Sequence, residues 1–122
     1  MKTISVMNPI VETRYGKVRG SVVDGVHTFK GIPYAAPPFG PNRLLPPQPV
    51  EPWSGVRDAL TDGPKAPEIP PPPPLDVLVP DAGILGEDCL NLNIWSPGLG
   101  AAGCPVMVWI PGGAFECRGE CP

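Results

Sequence analysis

The residues with the most direct chemical reading lie late in the chain, in the run VMVWIPGGAF from Val106 to Phe115. Five apolar residues give way to Pro111, Gly112, Gly113 and Ala114. An apolar strand that breaks into a glycine turn can aim backbone N–H groups at an oxygen on which negative charge develops. Glycine suits such a turn because the backbone then approaches a reacting carbonyl with no Cβ in the way. Gly113 and Ala114 are the candidate donors, and Gly112 gives the turn its freedom. A plain glycine turn after a buried strand uses the same pattern, and the run taken alone favours that simpler assignment.

Donors of this kind serve a nucleophile, and none can be placed. The serines are Ser5, Ser21, Ser54 and Ser96, and none lies in a G-x-S-x-G turn. The single histidine, His27, sits in an alternating stretch near the N-terminus, where a structural place on a strand is expected. The cysteines are Cys89, Cys104, Cys117 and Cys121, which allow three pairings if two disulfides form. Nothing marks the chain as secreted, so thiols are expected. Cys117 and Cys121 have a spacing that zinc sites use, but no second close pair and no nearby histidine completes it. No metal and no cofactor are expected.

The elements that must position these residues are short. The chain has 122 residues, enough for at most one modest domain. Proline and glycine, 21 and 15 residues, make up about 30% of it, a level at which disorder becomes a serious prior. The hydrophobic content of 42% argues instead for short strands joined by stiff loops. A net charge of −3 gives no electrostatic reason to expect nucleic acid or an anionic membrane surface. No apolar run is long enough to span a membrane, and no apolar leader precedes Pro9. A cytoplasmic place is the expectation that follows.

Residues 10–35 read as a small antiparallel meander. Ile10 to Thr13 alternate, Tyr15-Gly16-Lys17 turns, and Val18 to Val23 follows. Asp24-Gly25 is a strong tight-turn signal, and Val26 to Lys30 alternates again. That alternation puts Val26, Thr28 and Lys30 on one face and His27 and Phe29 on the other. Residues 36–86 read as proline-rich loops, with Trp53 to Val56 as an apolar anchor and one helical turn expected within Ser54 to Leu60. Pro70 to Pro74 favours polyproline II. Leu90 to Trp95 alternates as a strand with one buried face, and Pro105 to Ile110 reads as a strand buried on both. No amphipathic helix appears that could cover such a sheet.

Five segments occur in an order that points one way: FKGIPYAAPP from Phe29, the loop of Arg43, PWSGVRDAL from Pro52, GEDCLNLNIWSP from Gly86, and PVMVWIPGGAF from Pro105. Together they resemble the N-terminal part of type-B carboxylesterases, the α/β-hydrolase branch that also contains the cholinesterases. The resemblance spans nearly all of residues 10–116. It implies an α/β-hydrolase fold, of which this chain holds the N-terminal part, mostly strands and proline-rich loops. It also implies a small-molecule carboxylic ester as substrate, cleaved by a Ser–acid–His triad whose members come later than this stretch. With those segments around it, the Gly112–Ala114 turn is expected to be the family's oxyanion loop, with the N–H groups of Gly113 and Ala114 as donors.

The resemblance carries further expectations. An arginine in this loop and the glutamate of GEDCL pair in the family, so an Arg43–Glu87 ion pair is expected here as a positioning device. Secreted members bridge the GEDCL cysteine to one upstream. Here Ala66 stands near that position, so Cys89 is expected to be a small buried apolar residue. Pro111 departs from the family, which usually has a non-proline residue before the glycines. Proline removes an N–H and fixes φ at the strand end, which bears on how the donors are aimed. ECRGECP after Phe115 departs as well, and an altered reading frame, a truncated gene or an incomplete gene prediction is the expectation. The isolated chain is expected to fold poorly and to lack esterase turnover. A non-catalytic interaction module that offers Pro70 to Pro74 to a proline-recognition groove is the alternative.

Overall fold

The computed structural model describes residues 8–68, 73, 83–100 and 102–111. Among the described residues six short strands form: β1 (Ile10–Thr13), β2 (Gly16–Arg19), β3 (Ser21–Val23), β4 (Val26–Pro33), β5 (Val56–Asp58) and β6 (Asn91–Ser96), with a 3-10 turn at Gly40–Asn42. Two three-stranded sheets result, ordered β1-β2-β5 and β3-β4-β6.

The expected single meander is therefore split. Val18 to Val23 does not run through as one strand; it divides at Gly20 into β2 and β3, which join different sheets. A Cβ on Gly20 would fall 2.4 Å from the Thr28 carbonyl oxygen, so the chain crosses β4 here at a distance that only glycine permits. The Gly20 N–H donates to Pro9 O at 2.9 Å and is not left unpaired. The Asp24-Gly25 turn forms as expected, both residues at positive φ (49° and 80°), with Val23 opposite Val26 in the hairpin it closes.

The expected helical turn within Ser54 to Leu60 is instead β5, which pairs in parallel with β2, Lys17 opposite Val56 and Arg19 opposite Asp58. Trp53 explains the preference. Its backbone N–H donates to Tyr15 O and its indole Nε1–H to Lys17 O, each at 2.9 Å, which lays the next residues alongside β2. Ala59 then links the sheets: its N–H donates to Arg19 O at 2.8 Å, and its carbonyl accepts from Lys30 N–H at 2.9 Å.

The core is small. Val18, Phe29 and Ala59 are buried together, with Val11, Ile32 and Trp53 packed against them. On β4 the expected alternation fails, because Thr28 and Phe29 are both buried and the register to β6 shifts between Phe29 and Ile32. Gly31, at φ +65°, sits in that bulge, with Thr61 O only 3.0 Å from where a Cβ would stand.

The largest departure is Val106–Ile110. These residues form no strand, and their side chains are 77–91% exposed. An apolar strand is stable only when neighbours pair its edges and cover its faces, and among the described residues nothing does. Among the described residues no helix is long and apolar enough to cross a membrane.

Candidate functional site

The turn residues Gly112, Gly113 and Ala114 lie outside the described residues, as do Cys117 and Cys121. Pro111, which leads into that turn, is described and exposed. What the structure shows is the way β6 and its flanking loops are fixed to β4.

The sequence LNLNIW promises a strand with its apolar residues on one face. Leu92 and Ile94 stand opposite Ile32 and Phe29 of β4, on the face of the core, and keep 39% and 44% exposure. Asn91 and Asn93 alternate to the other face and are half-buried there, which hydrogen bonding accounts for. The bulge at Gly31 leaves its N–H without a ladder partner, and Asn93 Oδ1 accepts it at 2.9 Å. Asn93 Nδ2 donates to Asp62 Oδ1 at 2.8 Å, and Lys30 Nζ donates to Asp62 Oδ2 at 3.0 Å. Lys30, Asp62, Asn93 and Gly31 thus form one chain of contacts across the bulge. Asn91 Nδ2 donates to Pro64 O and Asp88 O, both at 2.9 Å, which ties down the loops before and after residues 69–82.

The electrostatics follow the same contacts. The hydrogen bond from Lys30 holds the Asp62 carboxyl below its ordinary value, with help from the Lys30 charge and Asn93, while partial burial opposes them. Nearby, Arg57 Nη2 meets Asp88 Oδ2 at 3.0 Å, and its guanidinium lies 5.5 Å from the centre of the Trp53 ring. A shallow depression of about 360 Å³ lies beside this pair, lined by Pro33, Ala35, Val50 and Glu51 among others.

The expected Arg43–Glu87 pair is not among the ion pairs of the described residues. Both side chains are exposed, and Arg57 and Asp88 make the loop-to-strand tie instead. The reason is local. Arg43 ends the 3-10 turn with its N–H on Gly40 O, and two solvated charges gain little by meeting. Cys89 is half-buried, and Cys104 is an exposed thiol.

No nucleophile is assembled in the described part. His27 faces Ser96 across the β4–β6 register. The Ser96 hydroxyl donates to Gly98 O at 2.7 Å, however, and His27 Nδ1 is buried without a hydrogen-bond partner. Among the described residues no cluster of His, Cys, Asp or Glu could hold a metal. The arrangement can position and orient the strands and loops that it joins. Sequence reasoning missed Asp62, Asn91 and Asn93. The signal available was a pair of asparagines at alternate positions in a strand, a residue type depleted from sheets unless its amide has partners.

The family model described as "Carboxylesterase family" matches residues 7–120. The para-nitrobenzyl esterase of Bacillus subtilis is 45% identical over 106 residues, covering 87% of this chain and 21% of its own length. The cocaine esterase of Oryctolagus cuniculus is 47% identical over 120 residues, covering 88% of this chain and 23% of its own. Among solved structures, the carboxylesterase of Geobacillus stearothermophilus at pH 6.8 aligns with a TM-score of 0.72 at 44% identity, over 88% of this chain and 20% of that one. A PNB esterase aligns with a TM-score of 0.78 at 44% identity, over 91% and 22%. The chain thus spans about a fifth of the length of the relatives it matches.

Proposed function

The chain belongs to the carboxylesterase family, and we propose that it contributes the oxyanion-binding portion of a serine ester hydrolase acting on small carboxylic esters. The observation that carries this is the extent of the family match, which runs to residue 120 and so takes in Gly112, Gly113 and Ala114. In this proposal the frame of β4, β6 and the Lys30–Asp62–Asn93 contacts fixes where the chain leaves the sheet. Ile110 and Pro111 then deliver the turn. The N–H groups of Gly113 and Ala114 donate to the ester carbonyl oxygen as a serine from the rest of the fold attacks its carbon. Negative charge builds on that oxygen, and each well-aimed donor stabilises the transition state by roughly 3–4 kcal/mol. Pro111 carries no N–H and holds φ near its fixed value, so it sets the direction of the turn without competing as a donor. In this proposal the serine, acid and histidine come from the rest of the fold, and the chain alone is expected to show no turnover.

The test is a covalent chimera in which this chain replaces the matching stretch of the Bacillus subtilis para-nitrobenzyl esterase. It is expected to hydrolyse p-nitrophenyl acetate with sensitivity to serine-directed phosphonates. Gly113→Pro removes one N–H and should lower kcat by about 100- to 1,000-fold with KM little changed. A Gly113→Pro chimera with undiminished kcat would refute the oxyanion role. Phosphonate-sensitive turnover by the unfused chain would refute its dependence on the rest of the fold.

A further inference from the structure

The dipeptide Asp-Gly occurs twice in the sequence, at Asp24-Gly25 and at Asp62-Gly63. It carries a chemistry of its own. An aspartate carboxyl can reach the nitrogen of the next peptide and close a five-membered ring, and a glycine in that next place puts no Cβ in the way. The ring closes only when the carboxyl turns back over the following peptide and that peptide pivots to meet it. The fold therefore decides between two copies of one dipeptide by how firmly it holds each.

Asp24 and Gly25 are both exposed and lie between β3 and β4, in neither strand. Beyond its own chain neighbours, no heavy atom comes within 4 Å of where a Cβ on Gly25 would stand, so the peptide swings there without displacing anything. An exposed tip of this kind opens at little cost. Asp62-Gly63 is held at both residues. Asn93 Nδ2 donates to Asp62 Oδ1 at 2.8 Å and Lys30 Nζ to Asp62 Oδ2 at 3.0 Å, so the carboxylate cannot turn without losing contacts. Gly63 is half-buried, and a Cβ on it would fall 2.5 Å from the Asn91 side-chain amide. Lys30 also keeps the Asp62 carboxyl ionised to lower pH than an ordinary aspartate, and the ionised form is the poorer electrophile.

We propose that Asp24-Gly25 is a site of spontaneous backbone modification, where the chain forms a succinimide and then an isoaspartyl linkage, while the same dipeptide at Asp62-Gly63 is protected. The Gly25 nitrogen attacks Cγ of the protonated Asp24 carboxyl. The N–Cγ bond forms, the carboxyl C–OH bond breaks, and that hydroxyl leaves with the amide proton as water. One solvent water then adds to the imide. Addition at Cγ breaks the new N–Cγ bond and restores aspartate. Addition at the Asp24 backbone carbonyl breaks the original peptide bond, leaving the chain to run through Cγ beside a free α-carboxylate. Nothing is oxidised or reduced, and water is the only other reactant. The isoaspartyl form lengthens the main chain by one carbon in the turn that sets Val23 opposite Val26, Val22 opposite His27 and Ser21 opposite Thr28. It therefore loosens β3, while β4 keeps its pairing with β6.

The test incubates the full 122-residue chain warm at neutral pH for weeks and follows the tryptic peptides 20–30 and 58–65, which carry one dipeptide each. Reversed-phase separation with electron-based fragmentation tells isoaspartate from aspartate at equal mass. Isoaspartate is expected to accumulate about tenfold faster at residue 24 than at residue 62, where the contacts must open first. A form of peptide 20–30 lighter by one water marks the succinimide. In concentrated urea the contacts are gone, and the two rates should come within about threefold of each other. Asn93→Ala strips one contact from Asp62 and should raise formation at residue 62 several-fold, with residue 24 unchanged. Gly25→Asn keeps a residue that tolerates positive φ but sets a Cβ beside the attacking nitrogen, and should slow formation at residue 24 about tenfold. Equal rates at the two sites in the folded chain, a faster rate at residue 62, or a ratio that urea leaves unchanged would each overturn the proposal.

Discussion

Replacing Asn93 by alanine tests whether the asparagine face of β6 is what fixes the bulge in β4. The substitution removes the acceptor for Gly31 N–H at 2.9 Å and the donor to Asp62 at 2.8 Å. A neutral hydrogen bond contributes about 1 kcal/mol net and one to a charged group about 2, while water that reaches the half-buried site recovers part of the loss. The expected local destabilisation is about 2–3 kcal/mol, which corresponds to opening about 30- to 150-fold more frequent. Hydrogen–deuterium exchange of peptides that contain Gly31 and Ile32 reads this directly, without requiring that the whole chain unfold in one step. Asn93→Asp is the informative companion, because it keeps the acceptor for Gly31 but places a second carboxylate against Asp62. Exchange at Gly31 should stay closer to the parent in Asn93→Asp than in Asn93→Ala, while the Asp62 carboxyl titrates higher. If Asn93→Ala leaves Gly31 exchange within twofold of the parent, the half-buried asparagines do not hold the bulge, and the account of β6 fails with them.

The Asp62 carboxyl titrates lower in the folded chain than in the unfolded one, so it stabilises the fold above its unfolded value of about 3.8, and that stabilisation is lost as pH falls through the lower folded value. Acid-induced opening of the bulge, followed by the same exchange measurement, should therefore steepen below about pH 4, and Asp62→Asn should flatten it; an unchanged acid profile in Asp62→Asn would assign the effect to other carboxylates. Arg57 and Arg43 make a matched pair of arginines. Arg57→Ala loses the Asp88 contact and the stacking on Trp53 and should destabilise residues 86–90 by about 1 kcal/mol, whereas Arg43→Ala should change nothing beyond about 0.3 kcal/mol. Equal effects of the two on exchange in that loop would return the tie to Arg43.

Local signals were legible in the sequence where local chemistry decides the structure. The Asp24-Gly25 turn, the first strand and the position of β6 follow from dihedral preference and period-two patterning, which act over a few residues. What was hidden depends on partners far along the chain. Val18 to Val23 looks continuous, and only the approach of Thr28 O to Gly20 shows why it breaks. Ser54 to Leu60 has no strong preference of its own, and its pairing with β2 is imposed by Trp53. β6 falls where the alternation of Leu90 to Trp95 puts it, but the partners that half-bury Asn91 and Asn93 on its other face lie far along the chain. Val106–Ile110 has the composition of a doubly covered strand, and composition does not supply the cover. The Arg57–Asp88 tie joins β5 to the segment before β6 across 31 residues, a partnership that no local motif encodes.

The link made by Ala59 and the pairing of β4 with β6 set a timetable for synthesis. β1, β2 and the β3–β4 hairpin join residues close in sequence and can form as soon as about 30 residues are clear of the ribosome. Phe29 pairs with Ile94, however, a separation of about 65 residues. At about 5–20 residues per second, the second edge of β4 waits roughly 3–13 s for its partner to be made. During that interval Thr28 and Phe29 have a hairpin on one side and open backbone on the other, and the Ala59 carbonyl, which accepts from Lys30 N–H, is the first group to reach that strand from downstream. The stretch between them includes β5, which pairs with β2 and leaves that edge of β4 to β6. The chain thus postpones its longest-range pairing until β6 has been made.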